Sequence, residues 1–309
     1  MSARSLYRPV RNRRNRRAKT KMAKKATNLA RFKERALEVI FMLCALAAVV
    51  GALLVFVFVS VKGLPIFRHV GVTELLFSMN WTPSKSQFGI LPLIIGSFLV
   101  TLGALALGAP MAILTAIFLS EVAPKSVQKI VRPAVELLAG IPSVIYGFFG
   151  LIIVIPVVRS LFGGSGFGLL TGWIVLAIMI LPTIATISED AIRAVPRSYR
   201  EASFGMGATR WQTIWRVILP AAKTGIIGAA ILGMGRAVGE TMAVLMVLGN
   251  APILPKSIAG PVATLTSIIA LDMSYASGDH QTALFAMGIV LFLISFLFVG
   301  GVRFVSRRA

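Results

Sequence analysis

The chain has 309 residues, is 57% hydrophobic and has a mean hydropathy of +0.85. Those values exclude an ordinary soluble domain of this size and place the chain in a membrane. Its net charge of +21 is concentrated, since residues 1–38 hold 14 basic and 2 acidic side chains. The densest part, RNRRNRRAKTKMAKK, has no aromatic residue for stacking on bases, so membrane lipid, and no nucleic acid, is the partner its charge implies.

In chain order, residues 1–38 are expected to form a basic, disordered tail. Charge-free apolar runs follow at 39–61, 88–120, 133–158, 167–188, 225–248 and 283–302. At about 1.5 Å of rise per residue each can cross a hydrocarbon core of ~30 Å, which predicts an all-α membrane protein with six transmembrane helices. The 33-residue run from Phe88 exceeds one crossing and falls short of two, so it is expected to be one long helix, tilted or bent near Pro110. Pro142 and Pro182 lie inside the third and fourth runs and predict bends there. Arg132 and Glu136, near the start of the third run, have the spacing of an interfacial ion bridge. Residues 251–282 carry three prolines and a ten-residue apolar stretch, 262–271. That stretch is too short to cross and is expected to fold on the outer face or dip in at its edge.

With the N-terminus inside, the inner segments hold 26 lysines and arginines and the outer segments 5. The excess predicts that both termini face the cytoplasm. Cys44 lies in the first run and has no partner for a disulfide, because it is the chain's single cysteine. His69 and His280 fall in outer segments without metal-ligand spacing, and are expected to be solvated; no metal site is implied. No G-x-x-x-x-G-K-[ST] loop is present, and GMGRAVG (233–239) has the wrong spacing for a dinucleotide fingerprint. Gly235 and Gly239 instead form a G-x-x-x-G pattern suited to close helix contact in a membrane. Neither a carboxylate pair nor a nucleophile with its base is legible, so the chain is not expected to be an enzyme by itself.

The inner loop 189–224 offers a helix start at Pro196 and Ser198, with Glu201 in the first turn and an end near Gly205 or Gly207. A second segment, 210–220, places Trp211, Ile214, Trp215 and Ile218 along one side. The residues of this loop resemble the EAA loop of ABC importer permeases. Glu201, Ala202 and Ser203 are followed by Gly207 and, nine residues later, by Val217, Ile218, Leu219 and Pro220. Ser203 stands where that pattern has a second alanine, and Val217 where it has isoleucine. FLSEVAP (118–124), ELLAGIPSVIYGFFG (136–150) and GRAVGETMAV (235–244) are similar to the permease subunits of phosphate-specific ABC importers. Met242 and Ala243 after Gly-Glu-Thr fit the PstC type, whereas the PstA type continues with Ala-Pro.

The resemblance covers residues 85–305 and implies a type I ABC importer permease (MetI-like) core in a prokaryotic cytoplasmic membrane. It implies that the short helix with Glu201, Ala202, Ser203 and Gly207 couples to a separate ATPase. It further implies a PstA-type sister permease, two ATP-binding subunits, an extracytoplasmic phosphate-binding protein, phosphate as substrate and no cofactor.

Arg236 and Glu240 are the candidate substrate-translocation residues, Arg236 foremost. As the twelfth residue of the run 225–248, Arg236 is expected near the bilayer midplane, where an arginine costs roughly 2.5–3.5 kcal/mol and should face protein or water. Its guanidinium can meet two phosphate oxygens at once. Glu240, four residues on, is expected on the same helical face, neutralising Arg236 between substrates. A fixed structural bridge is the competing reading of this pair. Another oxyanion, sulfate or molybdate, is the alternative substrate, and an ATPase-independent channel or carrier is the alternative class.

Overall fold

The computed structural model describes residues 13–308. They divide into two compact units, one ending at Phe58 and one beginning at Val59. α1 (Arg13–Gly63), most of which makes up the first unit, starts in the basic tail and runs without interruption into apolar sequence. The tail from Arg13 onward is therefore helical where disorder was expected. Arginine, lysine and alanine are good helix formers, and an apolar helix already in place supplies the nucleus that an isolated segment lacks. Residues 1–12 lie outside the described residues.

The second unit begins with two short helices, α2 (Ile66–His69) and α3 (Val72–Phe77), and a two-stranded antiparallel hairpin, β1 (Trp81–Thr82) and β2 (Gln87–Phe88), in which Trp81 pairs with Phe88. They share a core, built on Ile66, Leu75, Trp81, Phe88 and Ile90, with two later helices, α13 (Leu265–Asp272) and α14 (Asp279–Arg308). α4 (Leu91–Ile117) continues past Pro110 and closes in a π turn, Phe118–Val122, so the long apolar run is one helix, as expected.

The third span departs from its expected bounds. Residues 125–139 form a separate helix, α5 (Lys125–Ala139), and the crossing starts only after Gly140–Pro142, with α6 (Ser143–Phe149), a π turn and α7 (Ile155–Phe162). Charge explains the split, because Lys125, Lys129, Arg132 and Glu136 keep α5 in the polar zone while Ile130 and Leu137 are each 74% exposed on its apolar side. Pro142, with ψ 138°, starts a helix instead of bending one. The Arg132–Glu136 bridge is present at 3.1 Å, and Arg132 also meets Asp190 at 3.3 Å.

α8 (Leu169–Arg193) is the central helix, continuous through Pro182 and buried at Val175, Leu176, Met179, Ile180 and Ile184. α4 approaches it closely at Gly103, where a Cβ would fall 2.1 Å from the Trp173 ring. Trp173 Nε1 donates to Leu99 O at 2.8 Å. After α9 (Arg197–Gly205), the chain enters a 30-residue helical stretch, Arg210–Gly239, composed of α10 (Arg210–Thr213), a π turn and α11 (Leu219–Gly239). The loop between spans four and five is thus shorter than the expected 189–224. Ile214 and Ile218 are buried against Ala116, Ile117, Ile192 and Val195, whereas Trp211 and Trp215 are exposed and stack edge to face on each other. The four do not share a side, because the π turn 214–218 rotates the two isoleucines away from the tryptophans.

The fifth span carries the largest correction. The run 225–248 is two helices, since α11 ends at Gly239 and α12 (Met242–Val247) begins after an extended Glu240 with ψ 130°. The chain then loops back through residues 249–264, joined by a parallel bridge between Gly249 and Val262. α13 follows and packs inside the unit, with Leu265, Thr266, Ser267 and Ile268 buried. The segment expected on the outer face or dipping in at its edge thus packs against α4, α12 and α14. Among the described residues, six helices or helical stretches meet the length and apolarity of a membrane crossing.

Candidate functional site

The break in the fifth span sets the local electrostatics. Arg236 occupies the last turn of α11, where the negative end of the helix dipole favours a cation. Glu240 lies between the two helices, two residues before α12, and its Oε1 accepts from the Ala243 backbone N–H of α12 at 3.0 Å. Each charge is thus stabilised by its own helix end. The structure does not join Arg236 and Glu240 in an ion pair, so the expected neutralising pair on one helical face is not formed. Its premise was a helix continuous through both residues, whereas α11 ends at Gly239 and Glu240 is itself extended.

The depth of Arg236 follows from its neighbours. α11 runs antiparallel to α8, with Gly225 opposite Ala191 and Gly233 opposite Ile184. Arg236 Nη1 donates to Thr183 Oγ1 at 3.3 Å, and Thr183 is the fifteenth of the 25 residues of α8. The guanidinium therefore lies beside the middle of α8, through this contact and not through the middle of its own helix. Arg236 is partly buried and, among the described residues, forms no ion pair. Beside it, the Glu240 backbone carbonyl accepts from Thr266 Oγ1 at 2.9 Å. Thr264 Oγ1 and Thr266 Oγ1 are 3.0 Å apart, and Ser97 Oγ accepts from Leu265 N at 3.0 Å. Hydroxyls of α4 and α13 thus tie the re-entrant segment to the break. Thr183 and Thr266 were not identified in the sequence, because hydroxyls in apolar runs lack a distinguishing pattern.

Gly235 and Gly239 meet nothing in this chain at their Cβ positions. Among the described residues the G-x-x-x-G face is therefore not used, and Gly233 makes the close contact.

On the opposite side of the bundle, α9 carries the second group of expected residues. Pro196 precedes it, Arg197 begins it, and Glu201 is its fifth residue, one turn later than expected. Gly207 has φ +82°, and Ala208 N donates to Ser203 O at 3.2 Å while Gly207 N donates to Phe204 O at 2.9 Å. These two bonds are a Schellman ending with glycine at its left-handed position. Ser203 Oγ is 2.9 Å from Thr213 Oγ1, which fastens α9 to α10. Glu201, Ala202 and Gly207 are exposed, and Met206 is 88% exposed. A cleft of about 710 Å³ runs along this helix, lined by Tyr199, Ala202, Ser203, Met206, Gly207 and Gln212 among others. The structure thus brings Ala202, Ser203 and Gly207 to one apolar concavity, with Glu201 beside it.

The two histidines depart from expectation in different degrees. His69 is exposed and meets Asp279 at 3.1 Å, whereas the His280 side chain is only 16% exposed and meets Asp272 at 3.2 Å. Asp272 also accepts from Trp81 Nε1 and Tyr275 Oη, linking the hairpin to α13 and α14. The bond to Asp272, with burial, holds the Tyr275 phenol above its ordinary pKa. Among the described residues no group of histidine, cysteine or acidic side chains is arranged to hold a metal.

Comparison with known proteins gives consistent results. The family described as "Binding-protein-dependent transport system inner membrane component" matches residues 108–309. The chain is 46% identical over 273 residues to a probable ABC transporter permease protein, YqgH, of Bacillus subtilis, covering 86% of this chain and 88% of that one. It is 40% identical over 240 residues to the phosphate transport system permease protein PstC of Pasteurella multocida, covering 71% of this chain and 75% of that one. Among solved structures, a chain of a bacterial alginate ABC transporter in complex with an alginate pentasaccharide-bound periplasmic protein superimposes with a TM-score of 0.61 at 19% identity, covering 87% of this chain and 94% of that one.

Proposed function

From the premise that the chain belongs to the family of binding-protein-dependent transport system inner membrane components, we propose that it is the permease subunit through which an ATP-driven importer moves inorganic phosphate inward. It is a multi-pass protein of the prokaryotic cytoplasmic membrane with the fold of a type I ABC importer permease. It is not itself an enzyme, and ATP hydrolysis belongs to separate subunits. The observation that carries the substrate is Arg236, held at mid-depth by Thr183 and, among the described residues, paired with no carboxylate. Its remaining donors suit a tetrahedral oxyanion, and a discontinuous span is a common frame for an ion site at the membrane midplane. The 40% identity to a phosphate permease supports phosphate within that class.

In this reading the basic excess of the inner segments puts both termini in the cytoplasm. α9 seats its exposed tip in an ATP-binding subunit, with one such subunit under this chain and another under a PstA-type sister permease. An extracytoplasmic phosphate-binding protein delivers the anion to the outer face. ATP-driven movement of the coupling helices then switches the bundle between two arrangements, and phosphate is received at Arg236 in one of them.

The substrate is tested in cells dependent on this chain for labelled phosphate uptake. Unlabelled phosphate is expected to compete, and sulfate and molybdate at tenfold excess are expected to leave uptake within about twofold of the uncompeted rate. Strong competition by either would reassign the substrate.

A further inference from the structure

Glu121 lies in the FLSEVAP stretch, outside the group of residues assigned above to the anion. It sits in the π turn that ends α4, and such turns inside helices are frequent at functional positions. Its Oε1 accepts from Arg200 of α9 through Nη2 at 2.5 Å and Nε at 3.3 Å. The side chains of Arg200 and Glu121 are only 20% and 11% exposed, so the pair is largely removed from water. The same guanidinium donates through Nη1 to Val195 O at 2.7 Å, two residues past α8, and through Nη2 to Ile192 O at 3.2 Å in its last turn. Arg210, which starts α10, donates to the Glu121 backbone carbonyl.

These bonds matter because α9 has few other attachments. None of its residues is buried, and its remaining polar tie to the spans is Ser203 with Thr213. Arg200 therefore fastens the coupling helix to the inner ends of both α4 and α8. α8 also carries Thr183, the partner of Arg236, ten residues before its end, which is ~15 Å along a helix.

We propose that Glu121 and Arg200 form the joint that delivers displacement of the coupling helix to α4 and α8. They are positioning residues for coupling, not groups that touch the transported anion. A desolvated, multiply bonded pair is costly to separate because separation strands a charge, so it moves as one body while apolar contacts around it slide. This inference rests on the import reading above.

The test uses the full complex in proteoliposomes, with ATP enclosed and the binding protein outside. Labelled phosphate taken up per ADP formed is measured, normalised to assembled complex. Glu121→Gln and Arg200→Met are each expected to lower the ratio several-fold while ATP hydrolysis continues, and the double variant is expected to be no worse than either, since both break one joint. Arg200→Lys should give an intermediate ratio. A bridge that only supports the fold would lower the yield of complex and leave the ratio at the wild-type value, and that result overturns the joint, as would additive losses. Should the neutral variants fail to assemble, Arg200→Lys and Glu121→Asp keep opposite charges, and a wild-type ratio in both is equally fatal. Wild-type complex that takes up no phosphate counts against phosphate import alone. The joint is then read from ATP hydrolysis, whose stimulation by the binding protein should be lost in the variants and kept in the wild type.

Discussion

Replacing Arg236 by glutamine is expected to cut phosphate uptake by about thirtyfold or more, with the complex still recoverable from membranes. Removing the charged partner of a desolvated, hydrogen-bonded anion costs roughly 2–5 kcal/mol, and about 1.4 kcal/mol is tenfold. Arg236→Lys keeps the charge and loses the planar fork, so an intermediate loss is expected. Glu240→Gln provides the contrast. Its amide oxygen can still accept from Ala243 N, and the charge it gives up at the start of α12 is worth only about 0.3–1 kcal/mol. Uptake should therefore stay within severalfold of wild type. Equal, severe losses in Arg236→Gln and Glu240→Gln would restore the two charges to a single functional unit and contradict the separate roles assigned to them.

Gly207→Val is expected to leave membrane insertion intact and to remove transport together with co-purification of the ATP-binding subunit. Gly207 has φ +82°, a conformation that costs a residue with a Cβ roughly 1–2 kcal/mol and suits a β-branched one least. Nothing in this chain lies within 4 Å of a Cβ there, so the damage within the chain is conformational and the added bulk acts on the partner. Gly207→Asn separates the two effects, because asparagine tolerates the left-handed region. It should keep the helix ending and weaken docking less than valine does. Normal transport and a bound ATPase in Gly207→Val would remove the mechanical meaning of α9.

Lipid and helix geometry made much of this fold legible in advance. A hydrocarbon core demands long apolar runs, and the spacing from Glu201 through Gly207 to Pro220 located α9 and its ending. The break at Gly239–Glu240 was harder to read, because hydropathy registers an apolar run and not a change of direction within it. Signals were nonetheless present: a basic residue and then glycine at the end of one helix, Arg236 and Gly239, and Glu240–Thr241 at the start of the next. The same limitation merged α5 with the third span, since Pro142 reads alike as a bend or a start. Glu121 and Arg200 are 79 positions apart, and no local pattern announces their contact. The burial of Ile214 and Ile218 depends on a π turn, whose widened period the 3.6-residue template does not describe.

The most direct test of ATP-driven phosphate import through this chain is labelled phosphate uptake by the purified complex in proteoliposomes. Wild type and Arg236→Gln are compared, each with enclosed ATP, with enclosed ADP, and with sulfate or molybdate in place of phosphate. The account predicts uptake only for the wild type, only with ATP and only of phosphate. Uptake that proceeds with ADP, or that persists in Arg236→Gln at the wild-type rate, would contradict it.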